Sequence, residues 1–268
     1  MKLAFSTLGC PDWTWNEIIT TAKDLKMNGV EIRGVEHKLY APDFKIFSDE
    51  RAGETKERLE GMGLQIPMLT SAACLGQEKD CEKEVMDYIA CASKMGIPYV
   101  RVMVTPVAHP EQADLALAKR RYLDYCQRAK EQNVALLMET NGVLANSETM
   151  AGFMEGTDPV SGGVLWDIHH PYRFYGESPE KTFHHIGNYV KYIHVKDSVM
   201  VGDLVSYRMM GYGDVPVFDA MQILADGGYE GYITFEWLKR WFPDLTEPGI
   251  VFAHFASYMT YLFSQLEK

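Results

Sequence analysis

The segment VALLME (134–139) is apolar for five positions and closes on a carboxylate. It is too short for a helix and lacks strict alternation. It therefore reads as a strand covered on both faces, as in a parallel sheet flanked by helices. The same form recurs upstream as KLAFS (2–6), VEIR (30–33), QIPMLT (65–70) and YVRVMV (99–104). Downstream it returns as GVLWD (163–167), VKYIHV (190–195) and GYITFE (231–236). Amphipathic stretches separate these runs, among them WNEIITTAKDLKMNG (15–29), ETKERLEGMG (54–63), EKEVMDYIACASKMG (82–96) and LAKRRYLDYCQRAKEQN (117–133). A Gly or Asn closes each of them, as at a helix C-terminus. Strand–helix units with a period of about 30 residues are βαβ units. An open doubly wound sheet would fit the alternation too. However, no G-x-G-x-x-G follows the first strand and no G-x-x-x-x-G-K-[ST] occurs, so its nucleotide-binding forms lose support. The expected fold is α/β, a single (β/α)₈ TIM barrel spanning residues 1–268 as one domain.

Lys and Arg number 26 against 37 Asp and Glu, a net charge of −11. An acidic chain is a poor match for nucleic acid or an anionic membrane, which demand a basic face. No apolar run reaches the length of a membrane span, and the start MKLAFSTLGCPDW lacks the apolar core of a signal peptide. A cytoplasmic protein is expected, and a homo-oligomer is compatible with the composition. The five cysteines (Cys10, Cys74, Cys81, Cys91 and Cys126) are odd in number and lack C-x-x-C spacing. They read as reduced thiols filling ordinary positions.

A barrel concentrates its chemistry at the C-terminal ends of its strands. Four successive runs end there in polar residues: Glu139, Asp167, His194 and Glu236. The two-residue period of a strand groups Glu139 with Leu137, Asp167 with Leu165, His194 with Tyr192, and Glu236 with Thr234. All four should therefore converge on the axis. Three carboxylates and an imidazole in one desolvated cup repel unless a cation sits among them. Three oxygen donors and one nitrogen suit Mn²⁺ first, with Mg²⁺, Co²⁺ and Zn²⁺ also fitting. The substrate-binding candidates are Lys196, Trp13, Arg33 and Arg101. Trp15 and Trp237 lie in loops on the same side. Lys239 and Arg240 follow the last strand, where barrels commonly bind phosphate.

CPDWTWNE (10–17), GVEIR (29–33), METN (138–141), WDIHH (166–170), IHVKD (193–197) and TFEWLKRW (234–241) resemble the xylose-isomerase-like sugar phosphate isomerase/epimerase family. The resemblance runs from the first strand to the last helix. It implies a (β/α)₈ barrel with one divalent metal at the mouth, held by Glu139, Asp167, His194 and Glu236. It also implies that Glu139 and Glu236 carry protons while His170 contacts a substrate oxygen, with His169 as the competing candidate. His184 and His185 read as surface residues. The implied activity is isomerisation or epimerisation of a small sugar or sugar derivative through a cis-enediolate, with a small-molecule carbohydrate substrate as partner. A metal-dependent dehydratase of a keto-polyol and a metal-stabilised sugar-binding protein are the alternatives. Two departures narrow this reading. Ketohexose 3-epimerases of the family carry a glutamate and an arginine where this chain has Ala145 and Met200. Its DNA-cleaving members carry extra histidines, whereas here Ser71, Met103 and GYGDV (211–215) stand instead. Pro171 should hold His170 extended over the mouth, its neutral imidazole donating to a sugar oxygen, and turn His169 to the loop wall.

Overall fold

The computed structural model describes residues 1–78 and 80–266. Its strands are β1 (Lys2–Ser6), β2 (Gly29–Glu31), β3 (Met68–Cys74), β4 (Tyr99–Met103), β5 (Ala135–Glu139), β6 (Gly162–Asp167), β7 (Val190–Val195), β8 (Asp197–Val201), β9 (Leu204–Arg208) and β10 (Tyr232–Phe235). The helices are α1 (Trp15–Asp24), α2 (Ala52–Met62), α3 (Glu82–Met95), α4 (Leu115–Lys130), α5 (Ser147–Met154), α6 (His169–Tyr175), α7 (Pro179–Ile186), α8 (Val217–Asp226) and α9 (Pro248–Gln265). Eight strands pair in parallel in the order β2-β1-β10-β7-β6-β5-β4-β3. Single bridges from Gly29 to Gln65 and from Ile32 to Leu69 join the two ends, so the ring closes as a (β/α)₈ barrel.

Local chemistry sets the element ends. Thr14 and Glu17 form a capping box that starts α1, and Ile18, Ile19 and Ala22 then face the core. Gly63 and Gly96 end α2 and α3 at φ 68° and 72°, a left-handed conformation that costs glycine little. The strand expected over 65–70 begins only at Met68. Pro67 has no N–H for the ladder, and the strand then runs on to Cys74.

Most of the core lies between the strands and the helices. Inside the barrel, Ala4, Met68, Leu137, Leu165, Tyr192 and Tyr232 pack as a separate cluster, with Tyr99 against it. Tyr192 stacks on Tyr232 at 6.2 Å and accepts a hydrogen bond from the Thr234 hydroxyl at 2.6 Å. Leu137, Leu165 and Tyr192 each lie two residues before Glu139, Asp167 and His194. The floor of the barrel is thus apolar and filled, and the polar partners of these residues stand one layer above it.

The antiparallel ribbon β8–β9 follows β7 and has no counterpart in the strand pattern read from sequence. Buried Asp197 at its root accepts from the backbone N–H groups of Ser198, Gly211, Gly213 and Val215. A Cβ on Gly213 would stand 1.9 Å from an Asp197 oxygen, so that close approach requires glycine. Replacing Asp197 by Ala strands several donors, each worth about 1–3 kcal/mol when left unpaired. A lower melting temperature and faster proteolysis within 211–215 are expected. An unchanged melting temperature would show that water satisfies the loop equally well.

Candidate active site at the barrel mouth

Glu139 and Asp167 end β5 and β6, His194 is the last but one residue of β7, Glu236 directly follows β10, and all four are buried. Each offers one donor atom, and these atoms lie within 4.8 Å of one another. His194 is oriented from behind. Its Nε2 donates to Glu31 Oε2 at 2.6 Å, and Glu31 Oε1 accepts from the Thr70 hydroxyl at 2.9 Å. The opposite nitrogen, Nδ1, has no hydrogen-bond partner. It faces Glu236 Oε1 at 3.6 Å and Asp167 Oδ2 at 4.0 Å. An orphaned imidazole nitrogen among buried carboxylates is a donor set that a divalent cation fits, with Glu31 as the outer carboxylate that fixes the ring. Burial works against a proton on His194, but Glu31 and Glu236 more than offset it, and the imidazole is pushed up to about 9.

Lys196 stands on the same side of its strand as His194. Its Nζ donates to Asp167 Oδ2 and, at 2.5 Å, to Glu236 Oε2. Burial opposes the ammonium, yet the two carboxylates hold its pKa above the ordinary lysine range. Burial also opposes ionisation of Glu236, but Lys196 and His194 keep it well below the usual carboxylate range. Complete burial, reinforced by the neighbouring Glu236 charge, pushes Asp167 up despite Lys196 and His194. Lys196, read from sequence as a substrate-binding residue, is therefore engaged with two carboxylates of the cluster. Arg101, another such candidate, places NH1 3.0 Å from Glu139 Oε2.

The two histidines separate clearly. His170 lies in the first turn of α6 rather than in an extended segment, because Pro171 is tolerated where a helix needs no N–H donor. Its Nδ1 is 2.9 Å from the Thr140 carbonyl, which can only accept. The proton is therefore on Nδ1, and Nε2, 3.6 Å from Asp167 Oδ2, carries a lone pair. The sequence reading made this imidazole a donor to substrate; the tautomer fixed by Thr140 makes it an acceptor. Burial, reinforced by Lys196, pushes His170 down to about 3, so it is neutral. His169 turns away, with Nε2 on the Ser198 hydroxyl at 2.9 Å and its ring 5.7 Å from that of Tyr207. Burial holds it well below the ordinary histidine value.

Other expectations need correction. Trp13 packs edge-on against Phe252 at 5.7 Å, and Trp15 is in the core as the first residue of α1. Trp237 is buried against Phe235, with its indole N–H on the Thr246 carbonyl. The indole beside Arg33 is instead that of half-exposed Trp241, its ring 5.9 Å from the guanidinium. Lys239 is spent on the Pro243 and Leu245 carbonyls and on Glu247, so it ties its own loop rather than presenting a phosphate site. His184 is exposed, and His185 meets the Ser147 hydroxyl at 2.8 Å. The residue that sequence reasoning missed is Glu31. A charged side chain inside the buried run VEIR was its available signal.

The fold is a TIM barrel whose mouth carries a buried cluster of carboxylates and an imidazole able to hold a divalent cation. The xylose isomerase-like TIM barrel family matches residues 19–252, and the chain belongs to that family. No curated protein matches the sequence. Among solved structures, the probable 3-DHS dehydratase AsbF from Bacillus anthracis superposes with a TM-score of 0.80 at 15% identity, covering 97% of this chain and 99% of that one. D-Psicose 3-epimerase from Clostridium cellulolyticum H10, in a structure with D-tagatose, gives 0.78 at 16% identity with both chains fully covered. A xylose isomerase-like TIM barrel protein from Mycobacterium smegmatis, in complex with magnesium, gives 0.75 at 15%, covering 98% and 96%. At such identities the likeness establishes the fold. The relatives include epimerases and a dehydratase. No helix among the described residues is long and apolar enough to cross a membrane.

Proposed function

We propose that this protein is a divalent-metal-dependent isomerase or epimerase of a small sugar or sugar derivative. The observation that carries the reading is the convergence of Glu139, Asp167, His194 and Glu236, with donor atoms within 4.8 Å and His194 Nδ1 unpartnered. A bound divalent ion supplies Lewis-acid stabilisation of negative charge developing on a substrate oxygen, with Mn²⁺ the first choice and Mg²⁺ present in a structural neighbour. The residues do the rest. Glu139 and Glu236 come from strands three positions apart in the ring, so they flank a substrate from two sides. One takes the proton from the carbon beside the carbonyl, and the other returns a proton to the opposite face or to the neighbouring carbon. Arg101 and Lys196 orient the two carboxylates. His170, neutral and with Nε2 free to accept, holds a substrate hydroxyl; the buried floor excludes water from below.

Incubation of a ketose panel in D₂O with the metal-loaded enzyme tests this. Deuterium is expected at the carbon next to the carbonyl, together with a new epimer or aldose. Binding without exchange would reduce the protein to a sugar binder. A second reading, dehydration, is supported by the fold likeness to AsbF. It predicts instead that the intermediate expels a β-hydroxyl, so loss of water without a new stereoisomer would select it.

The histidines supply a further expectation. His170→Ala should lower turnover while metal content, measured by atomic emission, stays near the wild-type value. His169→Ala should be milder, since that ring points to Ser198 and Tyr207. The reverse ranking with metal retained would transfer the substrate contact to His169.

A further inference from the structure

Most of the cations packed around the mouth are matched by carboxylates. Lys196 has Asp167 and Glu236, Arg101 has Glu139, and Arg173 has Asp214. Arg33, 8% exposed, makes no side-chain hydrogen bond or ion pair among the described residues. Its backbone is pinned by the Thr7 hydroxyl, which accepts from the N–H groups of both Arg33 and Gly34. It lies two residues beyond Glu31, whose carboxylate already reaches into the site, and its guanidinium sits beside the Trp241 ring. The acid nearest in effect, Glu84, lies beyond ion-pair range and is occupied by the Ala72 N–H at 2.7 Å.

Like charges surround it. Arg101 and Arg240 both act on Arg33, and burial together with Arg101 pushes its pKa down to about 10. Arg101 Nε has no partner, and neither do Nε and NH2 of Arg240. A cation held out of water beside other cations costs free energy unless an anion arrives. A guanidinium fork matches the oxygens of a carboxylate or a phosphate.

We propose that Arg33 is the counter-charge for an anionic oxygen group, a carboxylate or a phosphate, at the end of the substrate remote from the reacting carbon. This rests on the reading of the mouth as a sugar-converting site and adds that the substrate is an acid rather than a neutral sugar. The Trp241 ring, 5.9 Å from the Arg33 guanidinium, makes a cation–π contact that uses none of the guanidinium N–H donors.

D-Fructose, D-fructuronate and D-fructose 6-phosphate differ only at carbon 6, and calorimetric titration into the Mg²⁺-loaded protein compares them directly. At least one anionic sugar is expected to bind about tenfold or more tighter than D-fructose. The preferred anion identifies the source, carboxylate or phosphate. Arg33→Gln should erase the preference, and Arg33→Lys should keep part of it; circular dichroism of both variants reports folding. Equal affinity for all three sugars, no saturable binding of either anion, or an anion preference unchanged in Arg33→Gln would overturn the proposal. The deuterium test stands apart. Failure of exchange with the anion preference intact removes the isomerase reading alone. Exchange into D-fructose as efficient as into its anionic analogues removes the anion site alone.

Discussion

Replacing Glu139 or Glu236 by Gln is expected to lower turnover by about 10²–10⁴-fold, the usual contribution of a positioned acid or base. Glutamine keeps the shape and one oxygen donor, so the buried packing around either residue survives. The ability to take and return a proton does not. Glu139 is aimed by Arg101 at 3.0 Å and lies 3.7 Å from His170 Nδ1; Glu236 is aimed by Lys196. Both are also proposed metal donors, so metal content must be measured on the same samples. Wild-type turnover in a metal-loaded Gln variant would refute the proton-carrying role of that residue. A loss of rate that tracks loss of metal would assign the residue to metal binding only.

Lys196→Met should destabilise the metal-free protein by about 3–5 kcal/mol, the cost of leaving a buried charge without its partner. Methionine retains much of the lysine stem, so the change removes the ammonium that joins Asp167 to Glu236 rather than opening a large cavity. For a chain of this size each kcal/mol shifts the melting temperature by about 2–4 °C, so a fall on the order of 10 °C is expected in chelator. Adding Mg²⁺ or Mn²⁺ should recover more stability in the variant than in the wild type, because the cation then supplies the missing positive charge. Equal melting temperatures in chelator would show that the carboxylates are protonated or hydrated when Lys196 is absent. The ammonium would then not be what holds them.

These effects were legible in the sequence to different depths. The parity of residues along VALLME, GVLWD, VKYIHV and GYITFE already set Glu139, Asp167, His194 and Glu236 on one side of their strands. The role of Lys196 was only half visible: its parity with His194 put it at the mouth, but its carboxylate partners come from two other strands. Glu31 went unnoticed because its partner His194 lies 163 positions away, and no local pattern pairs them. For the histidine pair the sequence suggests the wrong backbone, since a proline in the first turn of a helix looks in sequence like an extended segment.

The sequence by itself determined the barrel and the polar rim at its C-terminal face. Strand length, helix periodicity and two-residue alternation are local properties, each fixed by residues close together in the chain. Only the tertiary structure decided which nitrogen of His194 is left without a partner and that His170 accepts rather than donates. It also decided that Trp13 packs against the core while Trp241 stands beside Arg33, and that Arg33 has no carboxylate partner among the described residues. Each of these depends on which side chains the closure of the ring brings together. That closure joins β2 to β3 and sets β7 across from β2, contacts that no stretch of sequence contains.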